Sequence, residues 1–289
     1  MNDLRCYRQL PIWHFDTIPE GFKRPHNTKQ GTWAKLNIIQ GTIHFAMLNE
    51  NEEIISEHEF NTESQPPFIP PQAWHKIVSA SKDIECQLSF YCEAKDYFEK
   101  KYQLTATHSE ILLATPYIPI GKALDIGCGS GRNSLYLSQH GFQVDAFDLN
   151  PMSIQKLNDI IQAENLSNIH TDIRDLNVDQ NIYSTYDFIF STVVMMFLQP
   201  KTIPSLIQNM QQATHPNGFN LIVCAMDTPD YPVLADFPFS FKENELRDYY
   251  QDWKILKYNE NVGELHRLDE NGQRIQQRFA TLFAQKIKS

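Results

Sequence analysis

Ala123-Leu124-Asp125-Ile126-Gly127-Cys128-Gly129-Ser130-Gly131-Arg132-Asn133 decides how this chain is read. A short apolar run carries an acid near its end, three glycines follow at every second position, and a helical pattern starts at Arg132. Glycine permits a sharp turn and lets backbone approach a ligand closely. A dinucleotide fingerprint, G-x-G-x-x-G, needs its third glycine one position later, where this chain has Arg132. That spacing favours a ligand other than a pyrophosphate nucleotide.

The flanks support a nucleoside site. Gly141 stops the helix Arg132–His140, and Gln143–Phe147 reads as a strand followed by Asp148, 17 residues after Gly131. In a doubly wound sheet an acid there takes ribose hydroxyls. Asp125, beside the turn, suits a cationic amino group. An adenosine on one side and an ammonium on the other describe S-adenosylmethionine (SAM).

Asn150 is positioned to cap a helix with Pro151 at its first position. Strand Asp187–Ser191, helix Thr202–Ala213 and strand Asn220–Cys224 continue the alternation, and Thr107–Glu110 fits a capping box ahead of Ile111. Such alternation predicts βαβ units and a doubly wound, mostly parallel sheet, an α/β fold. Asn271-Gly272 predicts a hairpin over 262–285. Pro-rich, aromatic Asp227–Phe241 is a candidate lid, and a packed loop without a chemical role is the equal alternative.

Before residue 100 the pattern differs. Trp33–Ile39, Thr42–Met47, Glu53–Phe60 and Cys86–Tyr91 read as short strands, which predicts a small sandwich or barrel. The expected domains are 1–100 and 101–289, with the boundary in or near 93–106. His75 ends PPQAWHKI and His26 sits in KRPHNTKQGTW, but no HxH followed by Glu is present, so no metal is expected. His44 stands alone, and Trp13, Trp33 and Trp74 are expected in the core. Dimerisation and anion binding stay open as roles for this module.

The formal net charge of −10 argues against a protein that neutralises nucleic-acid phosphate or anionic lipid. Its distribution is uneven. Residues 105–253 carry 7 basic and 17 acidic side chains, whereas 254–289 carry 7 basic and 4 acidic. Five cysteines without CxxC spacing argue against a disulfide framework or thiolate zinc site. The N-terminal stretch lacks a signal-peptide pattern and no apolar run approaches 18 residues, so a cytoplasmic protein is expected.

LDIGCGSGRNS followed by VDAFDLN resembles class I SAM-dependent methyltransferases. FIFSTVVMMFL, PNGFNLIVCAMDTPDYP and GELHRLDENGQRIQQRFA resemble the tellurite-resistance (TehB-like) methyltransferases, over about residues 105–289. Residues 1–100 resemble the cupin-like β domain that precedes the enzyme in longer members. The resemblance implies a seven-stranded Rossmann-like sheet with its last strand pair antiparallel. It implies that Gly127 and Gly129 lie under the methionine part of SAM, with Asp125 near the amino group and Arg132 on the carboxylate. Asp148 would take the ribose and Leu149 would pack on adenine. Asp175 and Leu176 would read its amino edge, and Thr192 would stand at the mouth. His266, Arg267 and Arg274 would face the transferable methyl. Guanidinium forks suit oxyanions, so a tellurite or selenite acceptor is expected, with no nucleic acid or membrane partner. A small-thiol or metabolite methyltransferase, a SAM-binding sensor or scaffold, and a metal-dependent cupin enzyme remain alternatives. A turn or cap role for Asp175, a satisfied strand-end hydroxyl for Thr192, and surface pairing of the arginines with Glu264 or Asp269 remain open as well.

Overall fold

In the computed structural model, residues 4–233 and 237–287 are described, the His266 side chain excepted. The chain divides into two compact units, Met1–Ala106 and Thr107–Ser289.

The first unit holds strands β1 (Leu4–Gln9), β2 (Trp13–His14), β3 (Trp33–Gln40), β4 (Ile43–Leu48), β5 (Ile54–Phe60), β6 (His75–Ala80) and β7 (Glu85–Glu93), then a short helix α1 (Tyr97–Tyr102). β7 pairs with β3 along one edge and with β1 and β2 along the other. A second sheet has the order β5-β4-β6. Leu36, Ile38, Cys86 and Leu88 from the first sheet join Phe45 and Ile77 from the second in one buried cluster. Alternating burial along β3 produces it: every second side chain points inward. Trp13 belongs to this core, while Trp33 and Trp74 are half-buried.

The second unit runs α2 (Ser109–Ala114), β8 (Lys122–Ile126), α3 (Arg132–Gln139), β9 (Gln143–Asp148), α4 (Pro151–Ala163), β10 (Ile169–Ile173), β11 (Tyr186–Thr192), α5 (Ile203–Ala213), β12 (Thr214–Ala225), α6 (Glu245–Asp248), β13 (Lys254–Leu268) and β14 (Arg274–Gln285). Seven strands take the order β10-β9-β8-β11-β12-β14-β13, with β14 antiparallel to its neighbours and the others parallel. The chain leaves β8 in both directions across the sheet, so the carboxyl end of β8 is the switch point where α/β sheets open a crevice. β8 and β11 are buried almost throughout, as strands covered on both faces must be.

Local chemistry explains the boundaries. Asn150 Oδ1 accepts from the amides of Met152 (2.9 Å) and Ser153 (3.4 Å), with Pro151 at the first helical position. Gly141 adopts φ 87°, the left-handed stop of α3. Three local expectations are corrected. The cap of α2 is His108, whose Nδ1 accepts from the Glu110 amide at 3.2 Å. Thr107 donates instead to the Arg132 carbonyl and Glu110 pairs with Lys257, so the capping box does not form. β12 begins at Thr214 rather than Asn220, and the hairpin starts at Lys254 rather than 262, because long-range ladders extend both strands beyond their apolar runs.

Candidate cofactor site at the carboxyl end of the sheet

The turn after β8 is held by one carbonyl. Phe147 O, on β9, accepts from both Gly127 N (2.9 Å) and Cys128 N (3.0 Å). All three glycines have positive φ: 73° at Gly127, 54° at Gly129 and 85° at Gly131. Their surroundings differ. A Cβ on Gly127 would lie 2.4 Å from Val194 Cγ2, and one on Gly131 would lie 2.4 Å from Leu157 Cδ1. These two glycines serve close packing. A Cβ on Gly129 would meet no heavy atom within 4 Å, so open space lies over this residue. The loop therefore offers bare backbone to a ligand at Gly129.

Asp148 borders that space. Its Oδ2 accepts from Gly129 N and its Oδ1 from Asn150 N, both at 2.8 Å. The carboxylate is thus oriented by two backbone amides at the end of β9. Leu149, the next residue, is 61% exposed.

Asp125 is 1% exposed, and its Oδ2 accepts from Ser134 Oγ at 2.6 Å. Burial pushes its carboxyl up to about 7, against opposing effects of Ser134 and Arg132. Arg132, in the first turn of α3, is in turn lowered by burial and favoured in its charged form by Asp125. An acid, a guanidinium and a helix N-terminus share the beginning of α3. The neighbouring Cys128 thiol is raised strongly by burial, so it is no nucleophile.

β11 supplies the opposite wall. Thr192 Oγ1 accepts from Asn133 Nδ2 at 3.0 Å, and Asn133 Oδ1 accepts from His108 N at 3.0 Å. Ser191 Oγ is buried, and among the described residues no partner reaches it. Val193 has φ 62°, an outlier for a β-branched residue; its amide donates to Val223 O at 2.7 Å. This turn delivers Val194 onto Gly127. Asp175 Oδ1 accepts from Asn177 N at 2.8 Å, an Asx turn, and Leu176 is buried.

Hairpin β13–β14 runs past the sheet. β14 pairs with β12 only from Phe279 to Gln285, and Phe279 faces Ala225, the last residue of β12. Arg274–Arg278 therefore project beyond the carboxyl edge, by roughly 16 Å at strand rise. Arg267 and Arg274 are exposed near the tip, and Arg274 lies 3.8 Å from Glu264. His266 is on β13, but its side chain lies outside the described residues. The structure thus gathers Asp125, Arg132, Asp148 and Thr192 around the turn and leaves the arginines on the projecting hairpin.

Several contributors were missed in the sequence. Asn133 and Ser134 follow Arg132 directly, and the start of α3 behind its cap Gly131 turns their side chains toward β11 and β8. Arg278 donates to Glu260 O, pairs with Asp230, and lies 5.3 Å from the Tyr231 ring. Gln277 Nε2 donates to Met226 O at 2.6 Å. These contacts fasten the start of the candidate lid, and Phe241 is fastened by backbone bonds with Asp227 and Ala225. Residues 234–236 of that segment lie outside the described residues.

Comparison with known proteins agrees with this geometry. The model of the family "Tellurite resistance protein TehB" matches residues 90–283, and that of the "TehB-like domain" matches 8–88. The chain belongs to the TehB family. A probable S-adenosyl-L-methionine-dependent methyltransferase TehB of Haemophilus influenzae (strain 10810) is 52% identical over 285 residues, 99% of each chain. The crystal structure of TehB from Haemophilus influenzae superposes with a TM-score of 0.93 at 51% identity, covering 99% of both chains. Hemagglutinin 1 of Eikenella corrodens is 44% identical over 239 residues, covering 83% of this chain and 79% of its own. Like its TehB relatives, the chain is a SAM-dependent methyltransferase of the class I fold, and S-adenosyl-L-methionine is its cofactor. The residues present fit that cofactor: open space over Gly129, an oriented acid at the end of β9, and a buried acid next to the turn. No helix among the described residues is long and apolar enough to cross a membrane.

Proposed function

We propose that this methyltransferase acts on tellurite- or selenite-type oxyanions and so contributes to tellurite resistance. The observation that carries the reading is the projecting hairpin, which holds Arg267 and Arg274 past the same sheet edge that bears the glycine turn. The pair Arg274–Glu264 is exposed, and such pairs are worth about 0–1 kcal/mol. An incoming oxyanion can displace Glu264 at little cost.

In this reading Asp125 faces the ammonium of SAM and Arg132 its carboxylate. Asp148 takes the ribose hydroxyls, Leu149 packs on adenine, and Asp175 with Leu176 reads the adenine edge. Thr192 stands at the mouth. The bound cofactor supplies an electrophilic methyl group on a sulfonium. Arg267, Arg274 and the candidate His266 hold the acceptor's oxygens and turn the chalcogen lone pair toward that carbon. The chalcogen–carbon bond would form from that lone pair as the C–S bond breaks, leaving S-adenosylhomocysteine as a neutral thioether, so the chain's residues need supply no strong general base.

The test is S-adenosylhomocysteine formation with tellurite, selenite or a simple thiol as acceptor. Formation with the oxyanions above the background without acceptor supports the assignment. Turnover with the thiol alone replaces it by a thiol methyltransferase.

A further inference from the structure

We propose that the N-terminal unit is a binding site for a small single-ring aromatic compound carrying a hydroxyl group. The site is a cavity of about 320 Å³ lined by Trp13, Phe22, Phe45, Ile77 and two histidines, His26 and His75.

The two imidazoles are a built pair. Backbone bonds join them reciprocally, His26 N to His75 O at 3.1 Å and His75 N to His26 O at 2.8 Å. Their ring centroids are 4.2 Å apart. His26 Nδ1 is 2.9 Å from Arg24 O, and His75 Nδ1 is 2.8 Å from Ala73 O. A carbonyl oxygen only accepts, so each Nδ1 carries a hydrogen, which leaves Nε2 as the atom that can offer a lone pair. His26 Nε2 is buried, and no donor reaches it among the described residues. Burial also holds His75 neutral, with its pKa lowered to about 4.

This chemistry selects the ligand class. A buried acceptor without a donor is costly, and a hydroxyl supplies a donor. A carboxylate offers only acceptors and an ammonium would lose its hydration against apolar walls. The walls suit a ring: Phe22 stands edge-on to His26 and Phe45 stacks on His75. An apolar cavity of about 150 Å³ accepts benzene, so this one holds a substituted ring.

The experiment titrates the full chain with phenol, toluene, benzoate and zinc chloride by calorimetry, and follows the His26 and His75 ring signals by NMR. Phenol is expected to bind about threefold to tenfold tighter than toluene, the ratio of one net hydrogen bond. It should shift both imidazole signals, and benzoate should not compete. His26→Phe is expected to bring phenol down to the affinity of toluene, with toluene binding retained as proof that the cavity is intact. Equal affinities for phenol and toluene in the unaltered chain overturn the proposal, and that comparison stands even if the variant does not fold. Zinc that displaces phenol at lower concentration also overturns it, in favour of a metal site. SAM binding should be unchanged throughout, which separates this site from the methyltransferase reading.

Discussion

Ser134 Oγ donates a 2.6 Å hydrogen bond to Asp125 Oδ2, and both side chains are shut away from solvent. The bond favours the ionised carboxylate, yet burial outweighs it and leaves Asp125 titrating at about 7. An acid in that state is receptive to a cation, because a neighbouring ammonium favours its charged form.

SAM binding should therefore release a proton near neutral pH. Affinity is expected to fall as pH drops below about 7, where Asp125 must first be deprotonated. Calorimetry in buffers of different ionisation enthalpy measures the released proton. Asp125→Asn should weaken SAM and flatten the pH profile. The stability effect has the opposite sense: the folded state holds this proton more tightly than the unfolded chain. Without cofactor, stability should decline from about pH 4 to about pH 7, and Asp125→Asn should remove that decline. A pH-independent SAM affinity in the unaltered chain would rule out Asp125 as the ammonium partner.

Gly129 and Gly127 should separate binding from folding. Gly129→Val places a side chain in open space at a positive φ, so strain costs about 1–2 kcal/mol while the new group fills the ligand's approach. SAM affinity should fall more than tenfold in a protein that still folds. Gly127→Ala brings its methyl to 2.4 Å from Val194 and should chiefly lower the melting temperature. Paired thermal and SAM titrations compare the two.

Arg267→Ala and Arg274→Ala should each cut turnover with tellurite by at least about tenfold and leave SAM affinity within about twofold. Losing Glu264 as partner should have little effect on stability, since the pair is exposed. Wild-type rates in both variants would remove the hairpin arginines from the mechanism.

Tyr250→Phe tests a buried network in the sheet. Tyr250 donates to Asn220 Oδ1 at 2.9 Å, Asn220 donates to Thr214 Oγ1 at 2.7 Å, and Thr214 donates to Met210 O at 2.7 Å. Removing the hydroxyl leaves the Asn220 oxygen buried and unpaired, at about 1–3 kcal/mol. The urea midpoint should fall with an unchanged slope.

Elements with a local cause could be read directly. The glycine turn, the Asn150–Pro151 helix start, the Gly141 stop and the Asn271-Gly272 hairpin each depend on a few adjacent residues. The α2 cap could not be read, because a contact between Glu110 and Lys257 competes with the box. Nor could the extensions of β12 and β13, whose polar residues are held in strand form by their partners. Ser134 and Gln277 were missed for the same reason: their roles depend on which strand end lies opposite.

By itself the sequence determined the α/β alternation, the bare glycine turn and the acids Asp125 and Asp148 at the carboxyl ends of β8 and β9. Hydrophobic period and glycine torsional freedom act over a few residues. Only the tertiary structure decided that Gly129 faces open space while Gly127 and Gly131 are packed, that Asp125 is buried deeply enough to titrate near neutrality, and that His26 and His75 meet side by side in the wall of a cavity. Those properties come from burial and from atoms brought together by distant parts of the chain, and no local pattern encodes them.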